Sequence, residues 1–165
     1  MTPTASEFGL KCAVQTAKMA LELDGAVLDF TPKTLGYVEA SLNRLHNEGN
    51  RSSTHPNTVL AFGGYVGEML VRNAGGQWTY GRDVPGGFPG DPEMIYVRMP
   101  VGGVVNPMGK VAKRLDGDES DNVDVFYKLI ASMCGPGGTG LGGGTPVLPR
   151  VGPKIGFWRR MFGFK

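Results

Sequence analysis

A stretch that is apolar on nearly every side of a helix constrains this fold more than any other feature. It runs from Val59 to Leu70, with the sequence VLAFGGYVGEML. Large apolar residues recur along it at intervals of three and four, the period of an α-helix. Because a helix that is apolar all round is buried, the sequence predicts a central helix covered by other elements. It is expected to open at Pro56 and to stop at Gly75.

Three glycines lie inside this helix, at a cost of about 1 kcal/mol each relative to alanine. Gly63 and Gly67 are one turn apart, so we expect another backbone to approach them closely. The same GxxxG spacing pairs helices in membranes only within a long apolar span. Because Glu68 and Arg72 interrupt the apolar stretch here, we interpret the glycines as a packing feature of a globular fold.

Two amphipathic helices are predicted before the central one. The first runs from Glu7 to about Leu23, with Ser6 as its N-cap and Gly25 as its stop. Its core face is expected to consist of Leu10, Ala13, Val14, Ala17 and Leu21. The second begins at Thr31-Pro32, with a core face of Leu35, Val38, Leu42 and Leu45, and Gly49 stops it. His46 falls on its polar side and is expected to be solvated.

After the central helix the period changes to that of β-strands. QWTYG, MIYVRMP and VVN predict a three-stranded antiparallel meander. A helix follows from Pro107 to Leu115, capped by Asn106, and then a last helix capped by Ser120 or Asp121. The core face of the last helix is expected to be Val123, Phe126, Ile130 and Met133. The order of elements predicts a single α+β domain over residues 1–134.

The composition changes abruptly at Gly135. Seven of the 27 glycines fall between Gly135 and Gly144, and prolines space the residues that follow. We therefore predict a flexible linker over residues 135–154. Residues 155–165 then concentrate aromatic and basic side chains, and we predict that they form a docking segment. Its partner-binding residues would be Phe157, Trp158, Arg159, Arg160, Met161, Phe162 and Phe164.

The charge is divided unevenly between these parts. The chain carries 17 bases and 15 acids, and the five bases from Gly135 onward are accompanied by no acid. The first 134 residues therefore hold 12 bases and 15 acids, a net charge of about −3, which argues against nucleic-acid binding by the domain. The basic, aromatic tail instead predicts a protein partner, a protein shell or an anionic membrane surface.

No metal site, cofactor or catalytic residue is predicted. Cys12 and Cys134 show no ligand spacing to His46 or His55, and we expect two buried or half-buried thiols. There is no Gly-x-Ser-x-Gly elbow, and the glycine run lacks the Lys-Ser/Thr of a phosphate loop. Whether the protein is an enzyme stays open at this point.

One polar cluster is a candidate ligand site. Glu68 precedes Arg72 by four residues, the favourable order for a helix ion pair. If the helices pack through the glycine face, Glu68 could meet Asn106 or Lys110, and the aromatic walls would be Trp78 and Tyr96. The alternative interpretation is a network of salt bridges and caps that serves the fold alone.

Three motifs together resemble a family of small bacterial proteins known as a domain of unknown function. They are YVGEMLVRNAGGQW, VNPMGKVAKRL and DNVDVFYKL. The resemblance covers about residues 28–129, and it implies a bacterial, cytoplasmic α+β domain without supplying an activity. The N-terminal residues MTPTASEFGLK do not form a signal peptide, and no stretch approaches the roughly 20 apolar residues of a membrane span. Both observations favour the cytoplasm.

Three functions are compatible with these features. The first is a non-enzymatic interaction module that docks through its tethered C-terminal segment. The second is a small-ligand-binding domain or an enzyme that uses Glu68, Asn106 and Lys110. The third is an immunity-type inhibitor that neutralises a toxin through its acidic body.

Overall fold

The computed structural model describes residues 2–135. Within them, five α-helices and one three-stranded sheet form an α+β fold. The helices are α1 (Ala5–Asp24), α2 (Leu35–Asn47), α3 (Pro56–Ala74), α4 (Pro107–Leu115) and α5 (Val123–Cys134). The strands are β1 (Gln77–Tyr80), β2 (Ile95–Arg98) and β3 (Val104–Val105). The predicted class and element order are confirmed. Most of the predicted linker and all of the docking segment lie outside the described residues.

Helix α3 is the central element, as its composition predicted. Every residue from Val59 to Leu70 is buried. α1, α4, α5 and the first two strands all pack on this helix. It opens at Pro56, and Gly75 ends it in the left-handed conformation, with a φ of 71°. An apolar surface on every side of α3 is thus matched by a neighbour on every side.

The three glycines of α3 face three different neighbours. A Cβ atom on Gly63 would lie 2.8 Å from the Cα atom of Met108, so the predicted close backbone approach occurs here, with α4. Gly64 lies against α1. Gly67 lies against the indole ring of Trp78, which is a side chain and not a backbone. The cost of the glycines in helix propensity is therefore offset by three separate close contacts.

The predicted core face of α1 is only partly right: Ala13 is buried and Ala17 is half-buried, but its three large residues are exposed. Its buried residues are mostly small: Ala5, Gly9, Cys12, Ala13, Thr16 and Ala20. Leu10, Val14 and Leu21 are 40%, 52% and 56% exposed. Small residues allow α1 to approach α3 at Gly64, whereas leucines at that contact would hold the two helices apart. Close packing has overridden the larger hydrophobic gain of burying the leucines.

Helix ends differ from prediction where several polar residues compete for the cap. Thr4, not Ser6, caps α1, and it forms a reciprocal capping box with Glu7. Thr31 makes no side-chain cap bond, because a short 3₁₀ turn (Pro32–Thr34) precedes α2. For α5 the cap is Asn122, whose side chain accepts a bond from Val125 N, and not Ser120 or Asp121.

Three of the four residues expected to form the core face of α2 are buried and Leu45 is half-buried, while His46 is half-buried and not fully solvated as expected. Leu35, Val38 and Leu42 are fully buried. The His46 ring is half-buried, with Nδ1 2.9 Å from the Leu115 carbonyl oxygen at the end of α4. The ring lies against Gly117, so it packs between α2 and the turn after α4.

The sheet is an antiparallel meander in the order β1-β2-β3. Trp78 pairs with Val97, and Val97 pairs with Val105. All three side chains of this cross-strand row are buried. The row therefore forms the inner face of the sheet and brings Trp78 beneath α3.

Candidate functional site

Glu68 lies in the apolar run of α3 and is only 7% exposed. Its Oε1 accepts a hydrogen bond of 2.8 Å from Arg72 Nε, which confirms the predicted ion pair. Its Oε2 accepts a bond of 3.0 Å from Trp78 Nε1. Both carboxylate oxygens are thus partnered within the fold, which is the condition for keeping a buried charge. The arrangement ties β1 to α3.

The network continues from Arg72 to the connection between α1 and α2. The Arg72 guanidinium lies 4.0 Å from the centre of the Phe30 ring. Phe30 has a φ of 61°, a conformation that costs on the order of 1–3 kcal/mol in a residue with a side chain. Its amide donates to the Tyr65 hydroxyl (3.0 Å), and its carbonyl accepts from Asn73 Nδ2 (2.9 Å). These contacts hold the strained residue in place.

Tyr96 lies on β2, next to the residue that pairs with Trp78, but its side chain has other partners. Its ring packs edge-on against Phe88, with 4.5 Å between ring centres, and its hydroxyl accepts a bond of 3.0 Å from Asp91 N. Burial raises the pKa of Tyr96 to about 12. It therefore holds the Pro/Gly-rich loop between β1 and β2 (residues 82–92) against β2, whereas Trp78 lies under α3.

Asn106 and Lys110 also have structural partners of their own. The Asn106 side chain accepts a bond of 2.8 Å from Gly109 N, which confirms it as the cap of α4. Lys110 forms an ion pair with Asp121, just before α5. Of the six candidate ligand residues, the structure unites Glu68 with Arg72 and Trp78, and the other three lie apart from them: Tyr96, Asn106 and Lys110.

A second buried ion pair, which the sequence did not indicate, joins α2 to α4. Arg114 is 6% exposed and pairs with Glu39. The second oxygen of Glu39 accepts a bond of 3.1 Å from the backbone amide of Val123. One carboxylate therefore holds α4 and the start of α5 together. Its partners are more than 70 residues away in the chain, so no local pattern could have revealed them.

The structure also contains a groove of about 310 Å³ between α1 and the first half of α3. It is lined by Phe8, Lys11, Cys12, Gln15, Met19, Asn57, Thr58, Leu60 and Ala61. Burial raises the pKa of the Cys12 thiol to about 12, so the thiol is protonated and unreactive at neutral pH. Both cysteines are free, Cys12 buried and Cys134 half-buried, as expected. The sequence did not predict this groove, because its walls come from helices remote in the chain.

Two helices expose apolar side chains. On α1 these are Leu10, Val14, Leu21 and Leu23, and on α5 they are Val125 and Leu129, which are 60% and 58% exposed. Within residues 2–135 there is no group of three or more His, Cys, Asp or Glu side chains that could hold a metal ion. Over the same residues, none of the helices has the length and apolar character needed to cross a membrane.

Comparison of the chain with protein-family models, with curated proteins and with solved structures finds no match. The resemblance of residues 28–129 to a bacterial family therefore stays a prediction. The predicted partner-binding residues, from Phe157 to Phe164, lie outside the described part of the chain.

Proposed function

We propose that this protein is a non-enzymatic interaction module, in which an α+β domain presents residues 155–165 to a protein partner as a docking peptide. One observation carries the proposal. Within residues 2–135 the hydrophobic core is assembled from residues between Ala5 and Ile130, and a dense group of aromatic and basic residues follows a glycine-rich run further along the sequence. Such side chains are typical anchors of protein interfaces.

The polar contacts of the domain favour this function over a ligand site at Glu68. Both oxygens of Glu68 are bonded within the fold, and Lys110 is paired with Asp121. A ligand using these groups would have to replace contacts that also join secondary-structure elements. We therefore interpret the cluster as structural.

The chemistry of the segment indicates the kind of surface it would bind. Phe157, Trp158 and Phe164 would supply buried apolar area, while Arg159 and Arg160 would pair with acids at the rim. The partner is thus a protein with an apolar groove bordered by carboxylates, located with this protein in the bacterial cytoplasm. A linker of about 20 residues would raise the local concentration of the peptide near whatever the domain contacts.

The test is affinity capture from a lysate of the source cell with the full-length chain. Trp158→Ala should abolish capture of a saturable, stoichiometric partner. Leu148→Ala, an apolar truncation just outside the segment, is the matched control and should leave capture unchanged. Arg159→Ala should weaken capture less, and its effect should fade at high salt. Capture that survives Trp158→Ala, or binding to anionic vesicles alone, would contradict the proposal.

A further inference from the structure

We infer that residues 155–165 also have a docking surface on their own domain, the exposed face of α5. This inference rests on the proposed function, because it gives the same peptide an internal competitor for its partner. The surface consists of Val125 and Leu129, together with the acidic run 116–124 that leads into the helix.

The apolar part of this surface is a row along α5. Val125 and Leu129 are one helical turn apart, so their side chains lie on the same face. They are 60% and 58% exposed, and the half-buried Met133 continues the row by one more turn. An aromatic side chain laid along this row would remove large aliphatic groups from water.

The charged part of the surface is complementary to the segment. The run 116–124 contains five acids and no base: Asp116, Asp118, Glu119, Asp121 and Asp124. Asp121 is paired with Lys110 and Lys113, and Asp124 with Lys128. Asp118 and Glu119 are exposed, and neither forms a salt bridge to another of the described residues.

The segment brings only positive charge to these acids. Residues 155–165 include Arg159, Arg160 and Lys165 and no acid. Opposite charges steer such an encounter and set its register. If the aromatic residues lie on Val125 and Leu129, the arginines can reach the exposed carboxylates just before α5.

The length of the chain allows this contact. α5 ends at Cys134, and residues 135–154 separate it from the segment. A helix of 12 residues is about 18 Å long, and a glycine-rich chain of 20 residues spans roughly 25 Å on average. The segment can therefore turn back along the helix it follows. A tether that matches the span gives an effective concentration in the millimolar range.

The acidic run 116–124 distinguishes the α5 surface from the exposed face of α1, although Lys128 also lies beside Val125 and Leu129. Lys11 and Lys18 lie beside the α1 row of Leu10, Val14 and Leu21. These lysines carry the same sign as the segment, and Lys18 forms a long ion pair with Glu22, at 3.7 Å. α1 thus serves as an internal control of similar apolar exposure.

The test uses the full-length protein and the side-chain N–H signals of its two tryptophans in ¹⁵N NMR. Trp78 donates to Glu68 and reports an intact fold, while Trp158 reports the segment. In the wild type, the Trp158 signal should differ from that of a synthetic peptide of residues 155–165. Leu129→Gln should move it to the peptide position and leave the Trp78 signal unchanged.

Leu21→Gln on α1 is the matched control, because Leu21 is 56% exposed against 58% for Leu129. It should leave the Trp158 signal in place. Glu119→Lys should weaken docking, and combining it with Arg159→Glu should restore it. A Trp158 signal that coincides with the free peptide in the wild type, or one that responds to Leu21→Gln and not to Leu129→Gln, would overturn the inference.

Partner capture separates this inference from the function on which it rests. If both hold, Leu129→Gln should raise the apparent partner affinity severalfold, because the peptide is released from its internal competitor. A free Trp158 together with Trp158-dependent capture would refute internal docking alone. A Trp158 held on α5 without any captured partner would support internal docking and refute the proposed function.

Discussion

Trp78 and Glu68 are joined by a buried hydrogen bond of 3.0 Å, from the indole nitrogen to the carboxylate. The same indole ring lies against Gly67 of α3 and Gly9 of α1. Gly67 and Glu68 therefore both contact the Trp78 side chain, which packs β1 against α1 and α3. The glycine provides the space for the ring, and the carboxylate orients it.

Trp78→Phe should destabilise the full-length protein by about 1–3 kcal/mol beyond the loss of packing, because Oε2 of Glu68 loses its donor. The measurement is urea unfolding followed by circular dichroism. Glu68→Gln should cost less than Glu68→Leu, since its amide can still accept a bond from the indole. If Trp78→Phe unfolds at the same urea concentration as the wild type, the hydrogen bond contributes nothing to stability.

Gly67→Ala should destabilise the fold by about 1–3 kcal/mol, because the added Cβ would overlap the Trp78 ring. Gly36→Ala is the matched control on the exposed side of α2, where the added Cβ would meet no atom within 4 Å apart from the adjacent backbone of its own helix. It should stabilise the protein by up to about 1 kcal/mol through helix propensity. Equal melting shifts for the two variants would contradict the close contact at Gly67.

The burial pattern of α1 predicts opposite results for substitutions at two adjacent residues. Ala20 is 2% exposed, so Ala20→Leu should cost about 1–3 kcal/mol by overpacking the buried face of α1. Leu21→Ala should change the stability by less than about 0.5 kcal/mol, because Leu21 is exposed. Thermal unfolding of both variants decides the matter. A larger loss of stability for Leu21→Ala than for Ala20→Leu would support the core face that the sequence predicted.

Asp24 should titrate below its ordinary value. The Tyr37 hydroxyl donates a bond of 2.5 Å to its carboxylate and Arg44 one of 3.2 Å, and these contacts lower the pKa of Asp24. Their stabilising effect is therefore present above the unfolded pKa of Asp24 and is lost as the pH falls through the lowered, folded pKa.

An NMR titration of the Asp24 carboxyl carbon measures this effect directly. Tyr37→Phe and Arg44→Ala should each move the pKa of Asp24 upward, because the tyrosine bond and the arginine bond both lower it. In urea unfolding, Asp24→Asn should flatten the acid end of the stability profile and leave the neutral part nearly parallel to the wild type. A wild-type Asp24 that titrates at its ordinary pKa would refute this assignment.

Much of the fold could be predicted because its strongest signals are local. The all-round apolar stretch from Val59 to Leu70 identified the central helix, and the change of period after Gly75 indicated the meander. The cap of α4 followed from Asn106 and its proline neighbour. Each of these features depends on residues within one or two turns of each other, where propensity and hydrogen bonding act directly.

The candidate site was less predictable, because its contacts are not local. The pairing of Glu68 with Arg72 follows from helix spacing, but its bond to Trp78 depends on how the chain reverses at Gly75 and Gly76. The partners of Lys110 and Arg114 lie on other elements. The basic residues Lys110, Lys113 and Arg114 of α4 can be read from the sequence, but the acids with which they pair cannot.

By itself, the sequence determined the α+β class, the order of the elements, the burial of α3 and the uneven distribution of charge. Only the tertiary structure decided which face of α1 is buried, what each glycine of α3 contacts and where the Glu68 carboxylate finds its second partner. The periodicity of a sequence shows how much apolar area a helix can bury, but close packing against the neighbouring helix decides which side chains fit the contact. At the contact between α1 and α3 only small side chains fit, so the leucines of α1 remain exposed.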